Sequence, residues 1–397
     1  LWFGPAPETV VAVTGTNGKT SVASFCRQIW AALGHRAVNV GTVGVEGAWE
    51  APLRHTTPDP VTLHRVLAQA RGAGVTHAAM EASSHGLDQR RLDGIPLAAA
   101  GFTNLTQDHL DYHGDMESYF EAKLRLFNAL LPPEGVAVVN LDDAWGPRVA
   151  TVAQARGQEV IGVGGAEGAR LRLLAQRFDA TGQELRFSWQ GTVRQARLAL
   201  IGGFQGANAL LAAGLCIGAG EDPEAAFGAL ERLVTVRGRM QLAARRANGA
   251  SVFVDYAHTP DAVETALRAI RPHVMGRIVA IVGAGGDRDR GKRPPMGAAA
   301  ARHADLVIVT DDNPRSEDPA AIRAAVIEGA RAAGGDPCEV ADRAEAILRG
   351  VDALGPGDAL LVCGKGHETG QVVGTTVHPF DDAEQASVSV AVLEGRA

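Results

Sequence analysis

The sequence lacks any pair of cysteines at metal-ligand or redox spacing. Its four, Cys26, Cys216, Cys338 and Cys363, stand far apart, so a reducing cytoplasm is the simplest setting. A surplus of basic charge is also missing: 38 Lys and Arg stand against 45 Asp and Glu, a formal net charge of −7. A phosphate-backbone partner needs the opposite sign, so nucleic-acid binding is not expected. No signal peptide, internal repeat or low-complexity linker is visible. Residues 198–220 carry no charge and are long enough to span a bilayer. Gly202, Gly203, Gln205, Gly206 and Asn208 interrupt that stretch. It reads as a strand end, a turn and a buried helix from about Gln205, so membrane insertion is not expected.

What the chain has is enough apolar residues for large cores. It is 397 residues long and 46% hydrophobic, which suits two or three domains. Over residues 8–236, apolar strands alternate with Ala- and Leu-rich helices. Strands are expected at Val10–Thr14, Val75–Met80, Ala98–Asn104 and Val136–Asn140. Each ends in a polar cluster, as where strand C-termini of a parallel α/β sheet carry a site. Shorter alternating runs from about Val160 to Leu200 suggest a small antiparallel excursion. Arg237-Gly238-Arg239 reads as a junction. The βα pattern then restarts with Val252–Asp255, a helix through Val263–Ile270, Ile278–Gly283, Leu306–Thr310, a helix over Ala320–Ala333 and a last strand at Ala359–Cys363. The expected fold is α/β: a phosphate-loop domain over 8–236, mainly parallel, then a Rossmann-like doubly wound domain over 237–397.

The most informative stretch is Val11-Ala12-Val13-Thr14-Gly15-Thr16-Asn17-Gly18-Lys19-Thr20-Ser21. An apolar run ends in a glycine-bearing turn, followed by Lys, two hydroxyls and a helix-like segment from Val22 to Leu33. That order sets backbone N–H groups and a helix N-terminus around a phosphate. Lys19, expected to be exposed at the loop, would reach the terminal phosphates, and the Thr20 hydroxyl would sit on Mg²⁺. Val13 stands where the common phosphate loop has its first glycine, so this is a shorter form. Glu81 follows the second strand, placed to hold Mg²⁺ directly or through water; the serines after it also suit a helix cap. Next comes Thr103-Asn104-Leu105-Thr106-Gln107-Asp108-His109-Leu110-Asp111-Tyr112-His113-Gly114. Two histidines and two aspartates crowd one turn there, and a structural role is an even alternative. On periodicity, Lys123 is simply a helix lysine.

In the second half, Gly283–Arg293, Asp311-Asp312-Asn313-Pro314-Arg315 and Gly364-Lys365-Gly366-His367-Glu368 follow three strands. They are expected to share one crevice. Acid and guanidinium side by side suit a zwitterion: Arg315 or Arg288 for a carboxylate, Asp312 or Glu368 for an ammonium.

Together these motifs resemble the Mur ligases, and among them the branch that extends UDP-N-acetylmuramoyl-L-alanyl-D-glutamate. The match runs in order through Thr14–Thr20, Glu81–Leu87, Asn104–Gly114 with Lys123, Asp255-Tyr256-Ala257-His258, Gly285–Arg293, Asp312–Arg315 and Gly364–Glu368. The resemblance implies that Gly15, Thr16, Asn17, Gly18, Lys19, Thr20 and Ser21, with Arg239, Asp255 and His258, bind ATP. It implies that Lys123 is N-carboxylated, its carbamate holding a second Mg²⁺ with His109, while Thr20 and Glu81 hold the first. Thr56, Thr57, Ser83, Gln89 and Arg91 match residues that grip the muramoyl dipeptide. Arg288, Asp312, Asn313, Pro314, Arg315, Gly364 and Glu368 match the site of the incoming amino acid. That amino acid is meso-diaminopimelate, L-lysine or L-ornithine, the first favoured by Asp312-Asn313-Pro314-Arg315. The implied reaction makes an acyl phosphate and ADP, then an amide, on a monomeric cytoplasmic chain.

The family's small uridine-diphosphate-binding domain has no counterpart in the sequence, and residues 1–7 are read as the remnant of its linker. Two other readings stay open. A folylpolyglutamate synthase-like ligase would be expected to carry Gly-Ser after the loop lysine, whereas Thr20-Ser21 stands here. A nucleotide-binding module without ligase activity is the other.

Overall fold

The computed structural model describes residues 3–395. Of the expected linker remnant, Leu1 and Trp2 lie outside the described residues. The chain divides into two compact units, Leu1–Arg177 with Gln183–Val234, and Phe178–Gly182 with Thr235–Ala397.

The first unit is built on one sheet. Its strands are β1 (Thr9–Thr14), β2 (Ala37–Gly41), β3 (Gly44–Gly47), β4 (His77–Glu81), β5 (Ala99–Phe102), β6 (Val136–Asn140), β7 (Glu159–Gly164), β8 (Leu171–Asp179), β9 (Gly182–Trp189) and β10 (Thr192–Leu198). They lie in the order β10-β9-β8-β7-β6-β5-β1-β4-β2-β3. The central strands pair in parallel, β1 between β4 and β5. β1 is buried from Val10 to Thr14, as a strand covered on both faces requires. β9 and β10 form the antiparallel excursion.

The helix expected from about Gln205 runs Phe204–Gly218, with Gln205 and Asn208 buried among its leucines and alanines. Among the described residues, no helix is long and apolar enough to cross a membrane. The helix after the phosphate loop begins at Lys19, not Val22, and ends at Ala32. Its polar first turn escapes a reading keyed to apolar positions. β4 begins at His77, not Val75, because the Val75 N–H bonds Ala70 O in the turn leaving the preceding helix, Pro60–Gly72.

The second unit holds β11 (Gln241–Arg245), β12 (Ser251–Asp255), β13 (Ile278–Val282), β14 (Leu306–Val309), β15 (Cys338–Glu339) and β16 (Ala359–Cys363). Their order is β11-β12-β16-β13-β14-β15. β12, β16, β13, β14 and β15 run parallel, and β11 is antiparallel to β12. Val252, Val254, Val279, Ile281, Leu360 and Val362 form the centre of its core. A hairpin, β17 (Gly370–Val373) and β18 (Thr376–Pro379), follows. In both units, the polar loops named above leave the C-terminal ends of parallel strands, the edge where α/β sheets carry their sites.

Candidate active site

In the first unit, the turn after β1 is tied to the turn after β5. Thr16 N donates to Asn104 O at 2.9 Å, and Asn17 N to Asn104 Oδ1 at 2.9 Å. Thr103 Oγ1 donates to Asn17 O at 2.6 Å. Gly15 (φ +146) and Gly18 (φ +87) take backbone shapes that L side chains avoid. A Cβ on Gly15 would stand 1.9 Å from Thr103 Oγ1. Gly18 caps the Lys19–Ala32 helix without any side-chain hydrogen bond. Its first N–H groups, backed by the helix dipole, therefore face the loop mouth and suit an anion.

Lys19 is half-buried, not exposed as the sequence suggested. Its ammonium folds back onto its own loop, donating to Gly15 O at 2.9 Å and Thr16 O at 2.8 Å.

Glu81 ends β4 beside β1, opposite Val13. It is 2% exposed, so its carboxylate needs donors. Thr20 Oγ1 supplies one at 3.0 Å, Thr42 N another at 2.7 Å and Thr42 Oγ1 a third at 3.1 Å. Thr42 also meets Thr56 Oγ1 at 2.9 Å. Thr57 Oγ1 donates to Glu81 O and accepts from Ser83 N. Arg91 donates to Thr57 O at 2.6 Å and grips Gln89 Oε1. The structure thus joins Thr20, Glu81, Thr56, Thr57, Ser83, Gln89 and Arg91 in one network. Thr42 was missed from sequence; its only signal is that it follows the apolar run ending at Gly41.

Lys123 lies on the helix Met116–Arg125 and is 1% exposed. Its Nζ donates to Gly15 O at 2.9 Å, the same oxygen that Lys19 uses. It also sits 4.3 Å from the Tyr119 ring centroid. Burial above all, and then the Lys19 charge, push its ammonium well below the ordinary lysine range. His109 stands at the next turn with a left-handed backbone, φ 53. Its ring is 6.2 Å from the Tyr119 ring and 4.9 Å from that of His85. Burial pushes His109 below the ordinary histidine range, while Asp108, 3.4 Å from Nε2, acts in the opposite direction. His85 and His113 are lowered too, again by burial first. Neutral imidazoles with free ring nitrogens are metal ligands, and the oxygen pair of Thr20 and Glu81 suits a hard cation such as Mg²⁺.

In the second unit, the loops after β13, β14 and β16 meet. Asn313, 4% exposed, donates to Glu368 Oε2 at 2.9 Å. Lys365 is wholly buried, yet its ammonium contacts Glu368 Oε2 at 3.1 Å, Asn313 Oδ1 at 3.2 Å and Gly370 O. That lysine, read from sequence only as part of a loop, holds Glu368 in place. Arg315 has φ 52, and its Nη1 donates to Gly286 O at 2.7 Å. Pro314 is buried between them, its carbonyl close against Gly286. Gly364 packs its backbone on Asp312 Oδ2, where a Cβ would come within 2.5 Å. Arg288, by contrast, is exposed and donates to its neighbour Asp287 O. Behind the loops, Arg343 and Asp382 form a fully buried bidentate pair, both contacts 2.7 Å, and Arg343 also donates to Cys363 O. At the end of β12, the Asp255 carboxylate accepts from Met240 N at 2.7 Å, and burial pushes it upward. The Arg239 guanidinium lies 4.7 Å over the Tyr256 ring, and His258 Nδ1 meets Tyr256 O at 2.8 Å.

Comparison with known proteins agrees with both halves of this arrangement. Residues 13–216 match the family model described as the Mur ligase middle domain, and residues 238–366 the one described as the Mur ligase, glutamate ligase domain. A UDP-N-acetylmuramoyl-L-alanyl-D-glutamate–2,6-diaminopimelate ligase of Caulobacter vibrioides is 52% identical over 99% of this chain and 81% of its own length. The protein of the same name in Agrobacterium fabrum is 52% identical over 99% and 80%. A solved structure of a ligase of that name superposes with a TM-score of 0.71 at 36% identity, covering 98% of this chain and 79% of its own. A folylpolyglutamate synthase of Mycobacterium tuberculosis, solved with ADP and AMPPCP, reaches the same TM-score at 20% identity, covering 99% of this chain and 92% of its own, which is a likeness of fold. With its two domain matches and its half-identical relatives, the chain belongs to the Mur ligase family.

Proposed function

We propose that this chain is an ADP-forming ligase that joins the D-glutamyl γ-carboxylate of UDP-N-acetylmuramoyl-L-alanyl-D-glutamate to the amino group of meso-diaminopimelate, a cytoplasmic step in peptidoglycan precursor synthesis. One observation carries the reading: the phosphate-loop lysine and the buried amine of Lys123 meet on the same Gly15 carbonyl, while Thr20, the residue after Lys19, donates to the buried Glu81 carboxylate. The relatives' names supply the substrates. Residues 8–236 would serve the nucleotide and the muramoyl dipeptide, and residues 237–397 the amino acid.

Gly15 to Ser21 would surround the ATP phosphates with backbone N–H groups. Lys19 would exchange its two loop carbonyls for phosphate oxygens, with no change of fold. Thr20 and Glu81 would hold one Mg²⁺, and His109 with Lys123 a second. Bound there, the two ions would neutralise charge on the transferring phosphoryl group.

As an ammonium, Lys123 repels Lys19 and a metal. A neutral amine instead adds to CO₂ through its nitrogen lone pair and loses one proton, leaving a carbamate anion. The lowered pKa favours that neutral form. Thr56, Thr57, Ser83, Gln89 and Arg91 would position the dipeptide so that its γ-carboxylate attacks the γ-phosphorus in line. The amino group of the second substrate then attacks the acyl carbon, and phosphate leaves. Glu368 and Asp312 would face its ammonium end, while Arg315, with Arg288 reaching from the surface, takes the distal carboxylate of diaminopimelate.

The test is a comparison of meso-diaminopimelate, L-lysine and L-ornithine with the purified chain, ATP, Mg²⁺ and the muramoyl dipeptide. ADP and tripeptide are followed together. A kcat/KM for diaminopimelate well above those for lysine and ornithine supports the reading; a higher value for lysine or ornithine overturns the specificity, and no tripeptide with any of the three overturns the function.

A further inference from the structure

At the N-terminal end of the parallel strands of the first unit, the edge opposite the loops above, three side chains from distant segments converge. His35 lies between the Lys19–Ala32 helix and β2, His77 opens β4, and Glu221 follows the Phe204–Gly218 helix. Glu221 Oε1 is 3.0 Å from His35 Nε2 and 3.7 Å from His77 Nε2. One donor atom from each residue lies within 4.8 Å of those of the other two. The two imidazole rings are 4.1 Å apart, and Trp30 flanks His77 at 5.0 Å. The three side chains are 34%, 12% and 15% exposed, so the cluster is partly dry yet open to solvent.

The network around His77 fixes which nitrogen faces inward. The Thr76 hydroxyl lies 3.3 Å from Arg36 O and 2.8 Å from His77 Nδ1. With the Thr76 hydroxyl proton on Arg36 O, the ring proton sits on Nδ1 and the Nε2 lone pair is aimed at the Glu221 oxygen. Two acceptors then face each other across 3.7 Å, an arrangement that costs free energy unless a cation stands between them.

We propose that His35, His77 and Glu221 bind one divalent first-row cation of the zinc type, with water in the fourth position. Two imidazoles and one carboxylate are a donor set that zinc takes readily and that magnesium, which prefers oxygen, does not. Ligands of a tetrahedral zinc, each at about 2.0–2.1 Å, stand about 3.3 Å apart; the two separations from Glu221, 3.0 and 3.7 Å, bracket that value. Thr76 supplies the outer hydrogen bond that orients a ligating histidine. The ion would staple three connections on the sheet edge remote from the ligase loops, and the proposal stands independently of the ligase reading.

The experiment titrates the chelator-stripped chain with ZnCl₂ alone and with MgCl₂ alone, by calorimetry and thermal unfolding. One equivalent of zinc should bind and raise the melting temperature, while magnesium should do neither. Glu221→Gln and His77→Asn should each remove that equivalent while melting, metal-free, close to the unsubstituted chain; His35→Gln replaces either variant that does not fold. Thr76→Val should keep the site but weaken it about 10- to 100-fold. No zinc binding by the unsubstituted chain, zinc binding unchanged in the folded variants, or an equal response to magnesium would each overturn the proposal.

Discussion

Replacing Gly41 by Ala tests the Glu81 cradle through a residue that no substrate need touch. A Cβ there would lie 2.0 Å from Glu81 Oε1, 2.6 Å from Cδ and 2.7 Å from Cγ. Carbon atoms do not tolerate such separations, so the carboxylate must retreat by about 1 Å. Thr20 and the Thr42 hydroxyl can follow it by rotation, but the Thr42 N–H, now 2.7 Å from Oε1, is fixed in the backbone. Losing one hydrogen bond to a buried charge costs about 1.5–3 kcal/mol. For a unit of this size, that lowers the melting temperature by roughly 3–12 °C. The direction is diagnostic, because Gly to Ala at an unstrained position normally stabilises by about 0.4–1 kcal/mol. A 1 Å displacement of a group positioning the reacting phosphate can also cost about 100-fold in turnover. Thermal unfolding by circular dichroism, and ADP release against Mg²⁺ concentration, measure both effects. A Gly41→Ala chain that melts at or above the unsubstituted value, with the same Mg²⁺ dependence, would refute the reasoning.

Lys123→Ala should remove nearly all turnover, and bicarbonate should raise the activity of the CO₂-depleted chain but not of the variant; equal activity with and without Lys123 would contradict the carbamate. Its folded pKa is lowered, so in CO₂-free buffer its contribution to stability is lost as pH falls from the unfolded value near 10.5. Bicarbonate should flatten that loss, as unfolding curves across this range would show. Lys19→Ala should fold and lose phosphoryl transfer at saturating ATP, since its ammonium lies on the phosphate loop itself; normal turnover would remove it from the mechanism. Arg315→Ala should reduce kcat/KM for diaminopimelate about 30- to 1000-fold and leave the low activity with lysine nearly unchanged; equal losses would make Arg315 a brace for Gly286. Asp382→Ala strands a buried guanidinium and should destabilise the second unit by about 3–5 kcal/mol, read by denaturant unfolding; a smaller change than 1 kcal/mol would contradict the buried-pair argument.

Where local pattern and tertiary environment agree, the sequence could be read to the residue. β6 and β16 are apolar runs bounded by polar or glycine residues, and they fall on Val136–Asn140 and Ala359–Cys363 as expected. β2 and β3 were not anticipated, since Ala37–Gly41 and Gly44–Gly47 are short and β2 carries Asn39 in its middle. The hairpin β17–β18 is exposed along β18 and has little apolar alternation to announce it. Among the loops, glycines, hydroxyls and charges drew attention to Gly15–Ser21, Glu81 and Asp312–Arg315. Thr42 and Lys365 did not stand out, because their contacts come from strand neighbours far along the chain. Lys123 is the extreme case. Its helix spacing says nothing of the packing that buries it, and only the family resemblance singled it out. His35, His77 and Glu221 carry no motif at all, and only the folded sheet edge brings them together.

The most direct test of the central claim follows oxygen from carboxylate to phosphate. The muramoyl dipeptide is labelled with ¹⁸O in its D-glutamyl γ-carboxylate and incubated with the chain, ATP, Mg²⁺ and meso-diaminopimelate. Attack of that carboxylate on the γ-phosphorus, followed by amide formation, predicts one ¹⁸O in the released phosphate for every tripeptide made, with ADP in equal amount. Tripeptide accompanied by unlabelled phosphate, or ADP released without tripeptide, would contradict the account.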